Sequence, residues 1–278
     1  MNHDPKKDFL SIVNASGFPF QIAVETEIRR TIFQHGWKIA SSEHAWKHPV
    51  NGETGFIDIV LSDSSYIFRA VIECKRPRKG TWVFLVSHEA QLTPRLRGCW
   101  INCESVNNSR SGWFDFDFAP LSLESSVCLV RGQGEGTPTM IERLARQLIE
   151  STQALSRQEK AIAERRQYSE TCIYIPMIVT AASLIVCRTD PKNISLAEGD
   201  LSDAEFEKAE IIRFRKSLTT DLSDEFSPRD LQEENLDKER TILVVNALSL
   251  AGTLSKINRL KLRYYDEPWY RPPRPSNG

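Results

Sequence analysis

Two carboxylates and a lysine lie close together in residues 55–77, GFIDIVLSDSSYIFRAVIECKRP. Asp58 interrupts one run of apolar residues, and a second apolar run ends in Glu73 and Lys75. Burying unpaired charges is costly, so this pattern needs a compensating partner. A divalent cation would supply one, because Mg²⁺ takes carboxylate oxygens, keeps several waters and accepts phosphate oxygens as further ligands.

The residue types indicate the chemistry that such a site would perform. We expect Asp58, Glu73 and the backbone carbonyl of Cys74 to hold Mg²⁺ or Mn²⁺. The metal would lower the pKa of a bound water and stabilise negative charge on a phosphate. Lys75 could position or help deprotonate that water and offset charge in the transition state. The pattern therefore predicts hydrolysis of a phosphodiester.

A β-hairpin would bring these groups together. Residues 56–62 and 67–75 are each typical of a strand, and a polar turn near Asp63–Ser65 would fold one onto the other. Side chains alternate along a strand, so Glu73 and Lys75 point to one face while Cys74 points to the other. The turn is expected to place Asp58 within reach of Glu73, on the same side.

The flanking segments predict the elements that support this hairpin. An apolar stripe that includes Val24 and Ile28 indicates a helix over 20–36, ended by Gly36. This order of elements predicts an α/β protein with three α/β/α layers and a central mixed sheet. Further strands are expected at 37–43, 125–132, 173–182, 183–188, 209–218 and 240–247, and further helices at 137–166 and 248–262.

The joint pattern of Asp58 on one strand and Glu73, Cys74 and Lys75 on the next resembles the PD-(D/E)XK nuclease superfamily. Members of that family have the restriction-endonuclease-like fold, whose core runs helix, three strands, helix, strand. The predicted element order resembles this core over about residues 19–180. The resemblance implies a nuclease that depends on Mg²⁺ or Mn²⁺, with additional C-terminal strands and a helix outside the core.

Three further positions follow from the resemblance. Family members often add an acid from the first helix, and Glu25 fits that place, with Glu27 as the alternative. Gln91 could match a polar residue that some members place after the lysine. Ile57 departs from the family pattern, since it stands where the name-giving proline would be, although many members lack that proline. The catalytic set implied is Glu25, Asp58, Glu73 and Lys75.

Basic residues follow the predicted catalytic strand directly. The net charge of the chain is −1, so any attraction of a polyanion must be local. We expect Arg76, Arg78 and Lys79, in the segment KRPRKG, to contact phosphates that neighbour the scissile one. Arg95 and Arg97 could extend that track if the following segment returns to the same edge.

The remaining chain is divided by composition. We expect an N-terminal segment at 1–18, a nuclease core at 19–190, an extension at 191–263 packed on the core, and a Pro-rich tail at 264–278. The aromatic-rich segment 100–118 is expected to form a loop packed on the core, or alternatively to stack on bases.

The six cysteines are expected to be buried reduced thiols. They form no CxxC pair, and most lie inside apolar runs. Cys99 and Cys103 have the spacing of half a zinc site, but no second pair of Cys or His follows at zinc-finger spacing, so zinc is not expected.

Three functions are consistent with these patterns. The first is a metal-dependent nuclease that cuts DNA, with a prokaryotic defence or restriction role that rests on what the family commonly does. The second is a nuclease of the same fold acting on RNA or single strands. The third is a non-enzymatic nucleic-acid-binding or assembly module with a vestigial site. We expect a cytoplasmic protein with no membrane partner, activated by a partner protein or by homo-oligomerisation.

Overall fold

The computed structural model describes residues 5–48, 52–77, 80–103, 110–131, 139–166, 170–218 and 230–257. The predicted DNA contacts Arg78 and Lys79 lie outside these residues, as does the Pro-rich tail at 264–278. The helices are α1 Pro5–Ala15, α2 Phe18–Arg30, α3 Ile32–His35, α4 Met140–Arg166, α5 Leu231–Lys238 and α6 Leu250–Ile257.

The strands run through the whole chain. They are β1 Lys38–Lys47, β2 Thr54–Ser62, β3 Phe68–Lys75, β4 Thr81–Ser87, β5 Thr93–Cys103, β6 Arg110–Ser122, β7 Glu124–Ser125, β8 Val127–Val130, β9 Glu170–Thr180, β10 Ser183–Thr189, β11 Glu205–Ala209, β12 Ile211–Ser217 and β13 Glu239–Asn246.

A nine-stranded mixed sheet forms the centre of the molecule. Its main order is β1-β2-β3-β9-β13-β12-β7, and β5 also pairs with β9 while β6 pairs with β5. The first three strands are antiparallel, whereas β9 lies parallel to β3 and β13 lies parallel to β9. A second sheet of four strands has the order β11-β10-β4-β8.

Two apolar clusters lie on opposite faces of the central sheet. One contains Val24 and Ile28 of α2 and Leu254 of α6, together with Ile72 of β3. The other contains the buried stripe of α4 and Val71 of β3. The sheet therefore separates α2 from α4, and the predicted α/β fold with a central mixed sheet and several helices is confirmed.

The first helical segment agrees with the sequence pattern but is divided. α2 ends at Arg30, and after Thr31 the short helix α3 continues to His35. Gly36 adopts a left-handed conformation with φ 76° at the end of α3, which is the role expected for it.

One part of the predicted architecture needs correction. Segment 100–118 is not a loop where it is described: β5 runs to Cys103 and β6 begins at Arg110, and the two strands pair antiparallel. The strands of the predicted extension at 191–263 include β13, which lies in the central sheet between β9 and β12. Alternating Phe and Asp in β6 gave the period of a strand, which the aromatic content obscured.

The six cysteines are free thiols, and five of them are buried, as predicted. Among the described helices, none has the length and apolar character that crossing a bilayer would require.

Candidate functional site

The hairpin of β2 and β3 brings Asp58 and Glu73 together. The strands pair antiparallel with Ile59 opposite Ile72, so Asp58 and Glu73 are the next residues along the register. The backbone pairing of β2 with β3 ends at this point, and the next hydrogen bond between the strands is made by the Asp58 carboxylate. Its Oδ2 accepts a hydrogen bond from the Cys74 amide at 2.7 Å. This contact fixes one carboxylate at the place where the two strands separate.

Burial disfavours the ionisation of both carboxylates, and the charge of Asp58 further disfavours that of Glu73. Burial raises the pKa of Glu73 to about 7, with the charge of Asp58 adding to the rise and Lys75 opposing it. Burial also raises the pKa of Asp58, against the Cys74 hydrogen bond and the charge of Lys75. Both side chains are half-buried. A pair of like charges held in this way would gain from a bound cation.

Lys75 shares a face of β3 with Glu73. Val71, two residues before Glu73, packs in the cluster on the α4 side, and strand alternation carries Glu73 and Lys75 to that same side. Lys75 is the last residue of β3 and is half-buried opposite Thr180 of β9. The structure thus brings Asp58, Glu73 and Lys75 together at one end of the strand.

Glu25 lies on α2, and its charge reaches Cys74 of β3. Burial raises the pKa of the Cys74 thiol, and the charges of Asp58, Glu73 and Glu25 add to the rise. The Glu25 carboxylate forms an ion pair with Arg29 at 3.2 Å. Among the described residues, Glu25 does not form a three-residue metal-holding group with Asp58 and Glu73.

Glu27, the alternative to Glu25, is also engaged elsewhere. Its carboxylate forms an ion pair with Arg30 at 2.7 Å, and the hydrogen bond to Arg30 lowers its pKa. Neither acid of the first helix joins Asp58 and Glu73 in the described arrangement.

Sequence reasoning missed two residues beside Asp58. The buried amide of Gln21 in α2 donates from Nε2 to the Asp58 carbonyl at 3.2 Å. Gln21 lies one helical turn before Glu25, so the predicted helix already placed it on the same face as Glu25. Glu43 of β1 lies opposite Asp58 in the register of β1 and β2 and has a φ of 49°. Its charge contributes to the raised pKa of Asp58. The sequence around Glu43 does not predict this positive φ.

The predicted phosphate track is divided between several places. Arg76 is exposed beyond β3, and its Nη1 donates to the Asn14 carbonyl at 3.3 Å. Arg95 is exposed but lies with Gln91 in a separate cavity of about 660 Å³, reached only after β4 has run seven residues from the site. A contact between Gln91 and the lysine is therefore not part of the arrangement.

Arg97 requires a correction. We expected it to extend a surface track, but it is buried and forms ion pairs with Asp237 at 3.1 Å and with Asp115 at 3.4 Å. A basic residue can lie in a buried strand when acidic side chains from elsewhere in the chain neutralise its charge. The sequence next to Arg97 does not show that Asp115 and Asp237 are those acids. Arg97 stabilises the junction of β5, β6 and α5.

The donor set can be tested against the metal that the sequence implied. Within the described ranges, no three side chains of His, Cys, Asp or Glu converge on a common metal position. Asp58, Glu73 and the Cys74 carbonyl would instead offer two carboxylates and one carbonyl. Such an oxygen-only set fits Mg²⁺ or Mn²⁺, which is commonly held by one or two carboxylates and completes its shell with water and phosphate.

No protein-family model, curated protein or solved structure matches this chain. Its function is therefore argued from the geometry of the site.

Proposed function

We propose that this protein is a metal-dependent nuclease with a restriction-endonuclease-like core, and that it hydrolyses phosphodiester bonds in DNA. The observation that carries the proposal is the Asp58–Glu73 pair on adjacent strands beside Lys75. Burial raises the pKa of both half-buried carboxylates, and the charge of Asp58 raises that of Glu73 further, which costs stability in a purely structural role. Such carboxylates are a common feature of sites that bind a cation or move a proton.

The topology around the site supports the same proposal. Helix α2 precedes the antiparallel strands β1, β2 and β3, and the chain later passes through α4 to β9, which lies parallel to β3. This is the order of helix, three strands, helix and strand that the resemblance implied. Strands β4 to β8 come between β3 and α4 as an insertion.

Each residue of the site has a task that its surroundings explain. When bound, a divalent cation would lower the pKa of a water ligand and stabilise negative charge on the phosphate. Asp58 is oriented by the Cys74 amide, and Gln21 holds the Asp58 backbone. Glu73 would give up its proton as a cation binds, because its pKa is near neutrality. Lys75 would position the attacking water and offset charge on the phosphate.

DNA is the substrate that the resemblance favours, in a prokaryotic defence or restriction setting in the cytoplasm. RNA and single-stranded substrates fit the same chemistry at the phosphate, since nothing in the Asp58–Glu73 pair distinguishes a 2′-hydroxyl. The substrate class is therefore a separate arm of the experiment.

The experiment is to incubate the purified chain with circular DNA, linear DNA or RNA in the presence of Mg²⁺, Mn²⁺ or EDTA. We expect cleavage of DNA with either metal and none with EDTA. Asp58→Asn should abolish cleavage and Lys75→Ala should lower its rate by about 10²–10³-fold, whereas the matched exposed variants Asp203→Asn and Lys38→Ala should retain it.

Calorimetric titration separates binding from catalysis. Mn²⁺ should bind the wild-type protein but not Asp58→Ala. Equal binding by both proteins would show that Asp58 is not a ligand. Cleavage of RNA alone would move the proposal to the second substrate class, and metal binding without any cleavage would favour a non-enzymatic module.

A further inference from the structure

The N-terminal helix α1 carries an apolar face that nothing in the described structure covers. Phe9 and Ile12 are 66% and 67% exposed, and Leu10 and Val13 are 51% and 52% exposed. Every side chain from Lys6 to Ala15 is exposed. Because an isolated helix of this length is marginal in water, α1 needs a surface to pack against.

The start of α2 extends this apolar surface. A two-residue turn joins α1 to α2, the helices contact each other, and Phe18 and Ile22 of α2 are 55% and 62% exposed. We call these six side chains the N-terminal apolar face: Phe9, Leu10, Ile12, Val13, Phe18 and Ile22. At about 200 Å² for each full side chain, the face exposes on the order of 700 Å². Monomeric proteins rarely leave a contiguous apolar patch of this size open to water.

We propose that the N-terminal apolar face binds the same face of a second copy of this chain, with the two α1 helices antiparallel about a two-fold axis. Two copies would bury about 1,400 Å² in total, which lies within the range of stable protein interfaces. A two-fold interface uses the same patch on both subunits, so one apolar face is sufficient.

The charges of α1 favour the antiparallel arrangement. Lys6, Lys7 and Asp8 give its N-terminal end a net positive charge, and its last turn contains no basic residue. The carbonyl end of a helix carries partial negative charge. Antiparallel packing brings the lysines of each copy towards the carbonyl end of the other, whereas parallel packing would bring the lysines of both copies together.

The interface lies next to the candidate site. Arg76, which directly follows Lys75, donates to the Asn14 carbonyl in α1 at 3.3 Å. Dimerisation would therefore order a helix that touches the end of the catalytic strand. The dimer itself does not depend on the proposed nuclease activity, because it can be measured without metal or nucleic acid.

The test is sedimentation velocity of the full chain in EDTA from about 1 to about 100 µM. We expect a monomer–dimer equilibrium for the wild type. Phe9→Glu should raise the dimer Kd at least about a hundredfold, because a charge replaces a buried aromatic ring in both subunits. Ile12→Glu should do the same. The matched control is Phe206→Glu, which replaces an equally exposed phenylalanine in β11 and should leave the Kd unchanged.

Circular dichroism at a protein concentration below the wild-type dimer Kd should show the same unfolding midpoint for the wild type and for both α1 variants, since the replaced side chains are exposed in the monomer. A wild-type chain that stays monomeric over the whole range would overturn the proposal. An equal loss of dimer with Phe206→Glu would overturn it too, because it would show association through general surface hydrophobicity. Cosedimentation of a monomeric chain with phosphatidylserine vesicles would assign the face to a membrane surface instead.

Discussion

Arg213 and the Asp58–Glu73 pair are both charged groups inside the protein, but they differ in how completely hydrogen bonds compensate their charge. The guanidinium of Arg213 is fully buried, and each of its five N–H groups has an oxygen acceptor at 2.5–3.2 Å. The acceptors are the carbonyls of Pro94, Arg95, Phe118 and Pro120 and the hydroxyl of Ser122. Burial lowers the pKa of Arg213 only to about 10, so it stays protonated at neutral pH.

The carboxylate pair lacks such compensation. Asp58 accepts one backbone hydrogen bond, and the charge of Lys75 opposes the mutual repulsion only in part. A buried charge with every hydrogen bond satisfied links the segments that accept those bonds and is costly to remove, whereas a half-buried pair of like charges costs stability. The contrast is what we expect if Arg213 is structural and Asp58 and Glu73 serve the proposed function.

The largest effect on stability should come from Arg213. Arg213→Met would leave five oxygen acceptors without their donor, and we expect the free energy of unfolding to fall by about 3–5 kcal/mol. Urea unfolding measures this change. The control is Arg188→Met, which removes an ion pair to Glu207 and one hydrogen bond to the Ala90 carbonyl and should cost about 1–2 kcal/mol. A similar small loss for both variants would remove the contrast between the two regions.

Lys75 should show the reverse behaviour. Lys75→Ala is expected to lower the cleavage rate by about 10²–10³-fold, the effect of losing one group that stabilises transition-state charge. The free energy of unfolding should change by less than about 0.5 kcal/mol, because a half-buried strand end loses little packing. Rate measurements with Mg²⁺ and urea unfolding test the two halves. Substantial residual cleavage would show that another residue performs this role.

The two regions also differ in how far the sequence predicts them. Asp58, Glu73 and Lys75 lie within one hairpin, so strand alternation and a short turn were enough to place them. The acceptors around Arg213 come from residues 94–122, about a hundred residues away along the chain. No local pattern indicates such a contact, and the position of β13 between β9 and β12 likewise follows only from the tertiary structure.

Prediction from the sequence also failed where the partner of a charged residue is distant along the chain. Arg97 belongs by position to a basic stretch, yet Asp237, 140 residues later, draws it into a buried ion pair. The role predicted for Glu25 likewise depends on how α2 packs on the sheet, which is set by the whole domain. Charge type can be read locally, whereas the side of a sheet and the partner of a buried charge require the tertiary structure.

Glu73 links stability to pH in the metal-free protein. Its pKa is about 7 in the folded protein against an ordinary 4.5. The folded state therefore binds more protons than the unfolded state between these values, and stability falls as pH rises from about 4.5 to about 7. Glu73→Gln should remove this cost and be more stable than wild type by about 3 kcal/mol at pH 8, with little difference below about pH 4.5.

Urea unfolding in EDTA at both pH values measures the effect of Glu73→Gln. The exposed variant Glu205→Gln, at the start of β11, is the control and should match wild type at both. The same Glu73 variant should have lost cleavage, which would separate function from stability at one residue. If Glu73→Gln is no more stable than wild type at pH 8, the carboxylate pair is not under strain and the comparison with Arg213 fails.

The smallest effect concerns Arg76, a charge that neither region buries. It is exposed directly beyond Lys75, where the phosphate next to a bound scissile group would lie. Removing one phosphate contact should weaken duplex binding and reduce the slope of log K against log salt by about one. The measurement is fluorescence anisotropy of Lys75→Ala, with and without Arg76→Gln, across a salt series.

Arg165→Gln is the control for Arg76→Gln. This exposed arginine lies near the end of α4, before β9 begins, whereas Lys75 pairs with the last residue of β9. Unchanged affinity and slope would mean that the loop after β3 only carries solvated charge, and the basic stretch at 256–275 would become the better candidate for the DNA track.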